Sequence, residues 1–280
     1  MPEIRQRSGS RRRTVVAMEL NLREKVCVIT GGSKGIGLAT ASVLASEGAH
    51  VVVGARNATK ELERLCAERS VTFVPVDLAS PGGAAELIDV AVGRHGGVDV
   101  LVNNVGASEP AASINDFTDE QWQRIFDVTL FSAVRAVRSA VPAMRGREGA
   151  AIVTIGSLNA RLPAGMIAPY CAAKAALGNF TKAVAEELAP AIRVNTVSPG
   201  PVRTPMWTDP GAFADVFADQ ATTTRDDVMD RLLPEMMSIS TGRVGEPEEI
   251  ADLVAFLVSP RAANTTGADH IVDGGMNKTA

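Results

Sequence analysis

Residues 25–37 read Lys-Val-Cys-Val-Ile-Thr-Gly-Gly-Ser-Lys-Gly-Ile-Gly, and this stretch decides the fold. Residues 25–30 are apolar and β-branched without alternation, which is typical of a strand buried on both faces of a parallel sheet. The glycines that follow permit a tight turn, and a helix is predicted over about 35–46, ended by Gly48. The N-terminus of that helix would offer free N–H groups to a pyrophosphate. The alternative is a glycine turn that only packs the helix on the strand.

The same order of strand and helix repeats along the chain. Further strands are predicted over 50–55, 71–77, 98–104, 150–156, 192–198 and near 270–272. Further helices are predicted over 58–68, 81–94, 119–144, 167–189 and 247–258. This alternation predicts an α/β fold with a doubly wound, parallel, seven-stranded sheet, Rossmann-like and in three α/β/α layers. We expect one catalytic domain over 20–280, with a substrate lid at about 205–241.

Composition excludes several classes of protein. The chain has 280 residues, 46% of them hydrophobic, and a net charge of −4, which does not favour a nucleic-acid partner. No apolar run reaches the length of a membrane span, and the three cysteines have no metal-binding spacing, so a cytoplasmic protein with reduced thiols and no metal is expected. Residues 1–19 differ, because five arginines crowd their first 13 positions. We interpret them as a disordered basic leader, with Met18 as an alternative start; an arm for nucleic acid or membrane is the other interpretation.

A second pattern carries chemistry. Tyr170 and Lys174 are four residues apart in a predicted helix, which places the phenol and the ammonium on one face. A nearby ammonium favours the phenolate and so lowers the pKa of the phenol. Ser157, thirteen residues upstream, could hold a carbonyl or alcohol oxygen within reach of the tyrosine proton. Alone, the Tyr-x-x-x-Lys spacing also arises by chance in helices.

Taken together, the motifs resemble the short-chain dehydrogenase/reductase family over about residues 22–275. They are TGGSKGIG at 30–37, NNVG at 103–106, Ser157, Tyr170-x-x-x-Lys174 and PGPVRT at 199–204. The resemblance implies that Tyr170 is the general acid in reduction and the base in oxidation. It also implies that Lys174 lowers the tyrosine pKa and binds the ribose, while Ser157 orients the substrate oxygen.

The resemblance further implies a set of cofactor-binding residues. Asp77 would accept a hydrogen bond from the adenine amine, Asn104 and Gly106 would line the adenosine pocket, and Val202 and Thr204 would hold the carboxamide. The alternative for Asp77 is a strand-end cap, and Asn103 is interpreted as an amide that braces the sheet. The full set is Gly31, Ser33, Lys34, Gly35, Ile36, Gly37, Arg56, Asp77, Leu78, Asn104, Gly106, Tyr170, Lys174, Pro199, Gly200, Val202 and Thr204.

The end of the second strand indicates which nicotinamide cofactor binds. An NAD-preferring pocket needs a carboxylate there, whereas this chain has Gly-Ala-Arg-Asn at 54–57. Arg56 suits a 2′-phosphate, and Lys34 could add a second charge, unless both are simply solvated cations. The sequence therefore predicts NADP, with NAD as the alternative.

One catalytic position departs from the family pattern. The family often has an asparagine in the long helix that supports a water relay to the lysine, but this chain has Thr129 in Asp-Val-Thr-Leu at 127–130. Thr129 has a hydroxyl and lacks the amide, which puts the relay in doubt and suggests a slower enzyme. We include it with Ser157, Tyr170 and Lys174 as the fourth candidate catalytic residue.

The segment over 205–241, which would cover the substrate, predicts only the chemical class of that substrate. Apolar residues and methionines are frequent over 205–241, which suits an adaptable apolar pocket or the inward face of an amphipathic helix. We expect an NADP(H)-dependent reductase of a small hydrophobic ketone, such as a 3-oxoacyl or secondary-metabolism ketoreductase. Alternatives are an alcohol dehydrogenase running oxidatively and a low-turnover cofactor-binding regulator. Family resemblance also implies a homo-oligomer, expected to be a tetramer.

Overall fold

A computed structural model describes residues 18–279, so most of the predicted basic leader lies outside the described residues. Its seven strands form one parallel sheet in the order β3-β2-β1-β4-β5-β6-β7. The strands are β1 Val26–Thr30, β2 His50–Ala55, β3 Val71–Pro75, β4 Val100–Asn103, β5 Ala151–Ile155, β6 Arg193–Pro199 and β7 Asp269–Val272. The doubly wound fold predicted from the sequence is confirmed.

Helices cover both faces of the sheet. They are α1 Gly35–Ser46, α2 Lys60–Glu68, α3 Gly83–His95, α4 Asp119–Phe126, α5 Ser132–Met144, α6 Ala168–Leu188, α7 Pro205–Thr208, α8 Phe213–Ala221, α9 Arg225–Asp227, α10 Leu233–Met236 and α11 Pro247–Val258. No helix among residues 18–279 is long and apolar enough to cross a membrane.

The buried strands lack alternation because each face of the sheet has its own core. In β1, Ile29 packs with Leu44 and Val254, from α1 and α11, on one face. Val28, its neighbour in sequence, packs on the other face in the core that α3, α5 and α6 cover. Since successive side chains point to opposite faces, a strand covered on both sides needs apolar residues at every position.

Two predicted segments differ from the structure. The helix predicted over 119–144 is divided, because residues Asp127–Phe131 adopt a π-helical turn between α4 and α5. The stretch over 205–241, from which a lid with an apolar pocket or an amphipathic helix is expected, is divided into the short helices α7 to α10 around a hydrophobic cluster of its own. A π turn inserts one residue into the helical ladder and is frequent at functional sites, and this one contains Thr129.

The strand order reverses between β1 and β4, since β2 and β3 lie on one side of β1 and β4 to β7 on the other. At such a reversal, the loops that follow neighbouring strands leave in opposite directions and open a crevice. The predicted glycine loop follows β1 directly, and the NNVG segment leaves the end of β4. The topology therefore places both motifs at the mouth of one crevice.

Candidate active site

A cleft of about 1050 Å³ lies at the carboxyl ends of the strands and gathers nearly all of the predicted residues. Of the candidates, Gly37 and Thr129 alone do not line it. Those that line it are Gly31, Ser33, Lys34, Gly35, Ile36, Arg56, Asp77, Leu78, Asn104, Gly106, Ser157, Tyr170, Lys174, Pro199, Gly200, Val202 and Thr204. Residues scattered from 31 to 204 in sequence therefore share one surface.

The glycine loop forms a cradle that side chains would fill. Gly31 has a φ of +70°, and a Cβ there would lie 2.7 Å from the Val105 side chain. A Cβ on Gly37 would lie 2.5 Å from both the Gly31 carbonyl oxygen and the Asn104 amide nitrogen. Gly37 is thus a packing residue beneath the loop, which is why it does not line the cleft. The open backbone above α1 fits the phosphates of a dinucleotide.

Asn104 holds this loop against β4. Its side-chain nitrogen donates hydrogen bonds to the carbonyl oxygens of Thr30 (3.1 Å) and Gly31 (2.8 Å). Both are the carbonyls that a bare glycine turn leaves exposed, so the amide fixes the cradle from below while its residue also lines the cleft. Asn103, expected to brace the sheet, does not do so by hydrogen bonding: its buried amide has no partner among the described residues.

The two cations at the adenosine end differ in their surroundings. Arg56 is exposed at the end of β2 and makes no ion pair with any residue in the described part of the chain. Lys34 instead pairs with Asp209 (2.9 Å), and both side chains are more than half exposed. Asp77 accepts a hydrogen bond from the Ala79 N–H (3.0 Å), which caps the turn after β3. Arg56 is therefore the guanidinium that is free to meet an anion.

Ser157, Tyr170 and Lys174 meet at the base of the cleft, and each is less than a tenth exposed. The Lys174 ammonium donates to the Ile155 carbonyl oxygen (2.7 Å) and lies 5.7 Å from the centroid of the Tyr170 ring. Room for it depends on Gly106, because a Cβ there would come within 3.3 Å of the Lys174 Nζ. The Ser157 hydroxyl accepts from the Asn159 N–H (3.1 Å) and so caps the short turn that follows β5.

Burial is the main cause of the shifted pKa values of Lys174 and Tyr170. Desolvation lowers the pKa of Lys174 to about 8. Desolvation also raises the pKa of Tyr170, although hydrogen bonding with Ser157 acts in the opposite direction. The lowered phenol pKa expected from the sequence is therefore wrong, since desolvation is the largest cause acting on the phenol and it raises the pKa. The resting phenol is a protonated acid.

Thr129 lies behind the site. It is fully buried in the π turn, and its hydroxyl accepts from the Ala107 N–H (3.3 Å) and donates to the Ala107 carbonyl oxygen (3.4 Å). The hydroxyl is thus engaged by the loop after β4, where Gly106 adjoins Lys174. The only proton that the hydroxyl can donate thus goes to the Ala107 carbonyl oxygen. Thr129 holds the loop that packs on the lysine.

Thr129→Val, which keeps the shape and removes the hydroxyl, is expected to cost about 1–2 kcal/mol of unfolding free energy, because the Ala107 backbone groups lose a buried partner. Thr181→Val is the matched control: that buried hydroxyl bonds only the Leu177 carbonyl of its own helix (2.8 Å). Urea denaturation of both variants measures the difference. Equal stability of the two would contradict the role given to Thr129.

Sequence reasoning missed several residues of the cleft. Glu109 and Arg124 line its outer part and pair with each other (2.9 Å), and Met166 and Met276 contribute apolar surface from distant segments. No motif marks these positions. Glu109 lies just beyond NNVG and Met276 near the C-terminus, so only the folded chain brings them to the same cavity.

Comparison with known proteins gives consistent results. A family model described as Enoyl-(Acyl carrier protein) reductase matches residues 31–277. "Dehydrogenase/reductase SDR family member 4" of Sus scrofa is 36% identical over 91% of this chain and 88% of its own length. "3beta-hydroxysteroid dehydrogenase 1" of Eggerthella lenta is 35% identical over 91% and 95%. The crystal structure of L-sorbose reductase from Gluconobacter frateurii with NADPH and L-sorbose superposes with a TM-score of 0.86 at 36% identity, covering 94% of this chain and all of that one.

Proposed function

Because the chain belongs to the short-chain dehydrogenase/reductase family of NAD(P)-dependent oxidoreductases, we propose that it interconverts a hydrophobic ketone and its secondary alcohol with NADP(H). One observation carries the proposal: the buried Ser157, Tyr170 and Lys174 share a single cleft with the glycine cradle. A proton donor and a dinucleotide site on one surface are what carbonyl reduction requires.

The nicotinamide, when bound, supplies or accepts the hydride, and the residues of this chain do the rest. The cradle over Gly31 and Gly35 would hold the phosphates, and Val202 and Thr204 would hold the carboxamide. Ser157 binds the substrate oxygen. Tyr170 gives that oxygen a proton in reduction and takes it back in oxidation, and Lys174 stabilises the phenolate and binds the ribose. Burial raises the pKa of the Tyr170 phenol, so the phenol holds the proton that reduction needs, and oxidation needs the phenolate that Lys174 stabilises.

The preference for NADP rests on Arg56. A guanidinium binds phosphate with two parallel hydrogen bonds, and no carboxylate stands at the end of β2 to bind a ribose 2′-hydroxyl. The NADPH complex of the sorbose reductase adds support. Lys34 contributes less than expected from the sequence, since its ammonium is shared with Asp209. NAD remains the alternative cofactor.

Arg56→Asp is therefore expected to weaken NADPH binding by at least about tenfold, which is about 1.4 kcal/mol, and to leave NADH binding unchanged or tighter. Arg64→Asp is the matched control, because Arg64 is an exposed arginine of α2 that does not line the cleft. Fluorescence titration with both reduced cofactors measures the change. Tighter NADH than NADPH binding by the unmodified protein would exclude the proposed preference.

The outer part of the cleft is apolar, and most of its apolar surface comes from the predicted lid over 205–241. This surface supports the proposal of a hydrophobic substrate. The oxidative direction uses the same residues, so the cellular ratio of the cofactors decides between reductase and dehydrogenase. A low-turnover regulator is the third alternative. A screen of ketones and alcohols with both cofactors separates the three, since a regulator would bind cofactor without turnover.

We also infer a homotetramer, since family resemblance places the helices over 119–144 and 167–189 in one interface and the C-terminal segment in another. Phe131, between α4 and α5, is 39% exposed and would be covered in the first of these interfaces. Light scattering at micromolar concentration is expected to give four times the chain mass of 29.3 kDa. A monomeric mass would contradict the inference.

A further inference from the structure

Three aromatic rings form a wall on the outer part of the cleft. The Trp207 ring centroid lies 5.4 Å from that of Phe213 and 6.2 Å from that of Phe217, with the latter pair nearly parallel at 22°. All three side chains are half-buried and line the cleft. Rings arranged in this way present flat apolar surface of fixed orientation. We call Trp207, Phe213 and Phe217 the ring wall.

The ring wall joins the catalytic tyrosine to the 205–241 segment. Phe213 packs on the cluster that contains Tyr170 and Ile167, together with Met166. Trp207 and Phe217 pack on the separate cluster formed by residues such as Val228 and Met229. A substrate whose oxygen reaches Tyr170 therefore has its adjoining carbon groups near Phe213, and Trp207 is the next ring along the wall.

Contacts with the glycine loop fix the position of Trp207 relative to the cofactor cradle. It lies in α7, which begins directly after Thr204, and a Cβ on Gly35 would be only 3.3 Å from the Thr204 side chain. Two residues beyond Trp207, Asp209 pairs with Lys34 of the glycine loop (2.9 Å). Contacts on both sides of α7 thus fix the indole relative to the glycine loop.

No unpaired charge faces the ring wall among the described residues of the outer cleft. Arg124, in the outer cleft, forms an ion pair with Glu109. The hydrogen bond that Arg124 donates lowers the pKa of Glu109. Asp127 is likewise occupied by Arg135 (2.9 Å) and Gln123 (2.9 Å). A charged substrate group would have to compete with ion pairs that already exist, and a hydroxyl placed against the faces of the rings would lose its water without gaining a hydrogen bond from those faces.

We propose that Trp207 determines specificity and that the substrate is an uncharged ketone, or its alcohol, with a ring system next to the reacting carbon. This proposal rests on the proposed function and narrows it. It separates the chain from reductases of polyhydroxy ketones, whose substrates need hydrogen-bonding walls. A flat apolar ring gains stacking contact with Trp207 and Phe213 that an open-chain polyol does not.

The test uses NADPH with three ketone probes: 2-tetralone, its 6-carboxylate derivative, and the open-chain polyhydroxy ketone L-erythrulose. We expect kcat/KM for 2-tetralone to exceed the other two by at least about 100-fold. Trp207→Ala should lower kcat/KM for 2-tetralone about tenfold, mainly through KM, and Trp207→Phe should restore most of it. Trp122→Ala is the matched control, because Trp122 is the only other tryptophan and does not line the cleft.

Equal or better use of L-erythrulose or of the carboxylate, or equal effects of Trp207→Ala and Trp122→Ala, would overturn the proposal. Unchanged NADPH affinity shows that each variant is folded. If no ketone is reduced, the proposed function fails. The role of Trp207 in ligand binding can then still be tested by fluorescence, without turnover. In a Trp122→Phe protein, Trp207 is the single tryptophan. With NADP⁺ bound, 2-tetralol should quench its fluorescence and erythritol should not; quenching by neither or by both contradicts the role of Trp207.

Discussion

Tyr170→Phe is expected to lower kcat for ketone reduction by about 10²–10⁴-fold, the usual value of general acid–base catalysis. Phenylalanine keeps the ring that packs with Ile167 and Cys171 and removes only the hydroxyl. The loss should therefore fall on the chemical step. Steady-state kinetics of reduction with NADPH and 2-octanone, a linear apolar ketone, measures it independently of any preference for rings.

Two controls accompany this variant. NADPH affinity should fall far less than kcat, because the glycine cradle, Arg56 and Lys174 remain and the cofactor loses only its contact with the phenol hydroxyl. Tyr170 is also the only tyrosine of the chain, so an ultraviolet titration of the folded protein reports this phenol alone. In the cofactor-free protein its pKa should lie above the ordinary value of 10, because burial disfavours the phenolate. A variant that keeps most of its turnover would exclude Tyr170 as the acid.

Lys174→Met is expected to remove most turnover and to weaken NADPH binding, since the ammonium serves both the phenolate and the ribose. The same change should leave the protein at least as stable at pH 7. Burial lowers the pKa of Lys174 from 10.5 to about 8, so keeping the charge there costs about 3 kcal/mol. Methionine fills similar space without that cost, although it leaves the Ile155 carbonyl without its donor. Urea denaturation and NADPH titration measure the two effects.

The stability difference should depend on pH. Between about pH 8 and 10.5 the unfolded chain retains the Lys174 proton and the folded chain does not, so the contribution of this group to stability rises with pH in that window. The methionine variant lacks that rise. Lys182→Met is the matched control on the same helix, because its ammonium is exposed and bonds only the Gly267 carbonyl (3.2 Å). A Lys174→Met protein that binds NADPH normally would contradict the role of the lysine.

The fold was predictable because local patterns determine it. Strands such as β1 contain apolar residues at every position, as burial on both faces requires, and the glycine run can only be accommodated where backbones approach closely. The Tyr170–Lys174 spacing was equally informative, since helical geometry alone brings the two side chains together. In each case the physical cause acts between residues that are near in sequence.

The features that escaped prediction depend on contacts between distant residues. The π turn of residues Asp127–Phe131 contains Thr129, whose hydroxyl bonds the backbone of Ala107, 22 residues away. The pairing of Lys34 with Asp209 joins residues 175 positions apart in the sequence, so no local pattern predicts it. The raised pKa of Tyr170 reflects how completely the fold excludes water, which no local pattern encodes.

The central claim, that this cleft moves a hydride between NADPH and a carbonyl carbon with Tyr170 supplying the proton, has a direct test. The protein is incubated with NADPH carrying deuterium at both C4 positions and with 2-octanone or 2-tetralone, and the alcohol is analysed by mass spectrometry. The account predicts one deuterium on the carbinol carbon, and almost no labelled alcohol from the Tyr170→Phe protein. Alcohol without deuterium, or equal labelling by the two proteins, would contradict it.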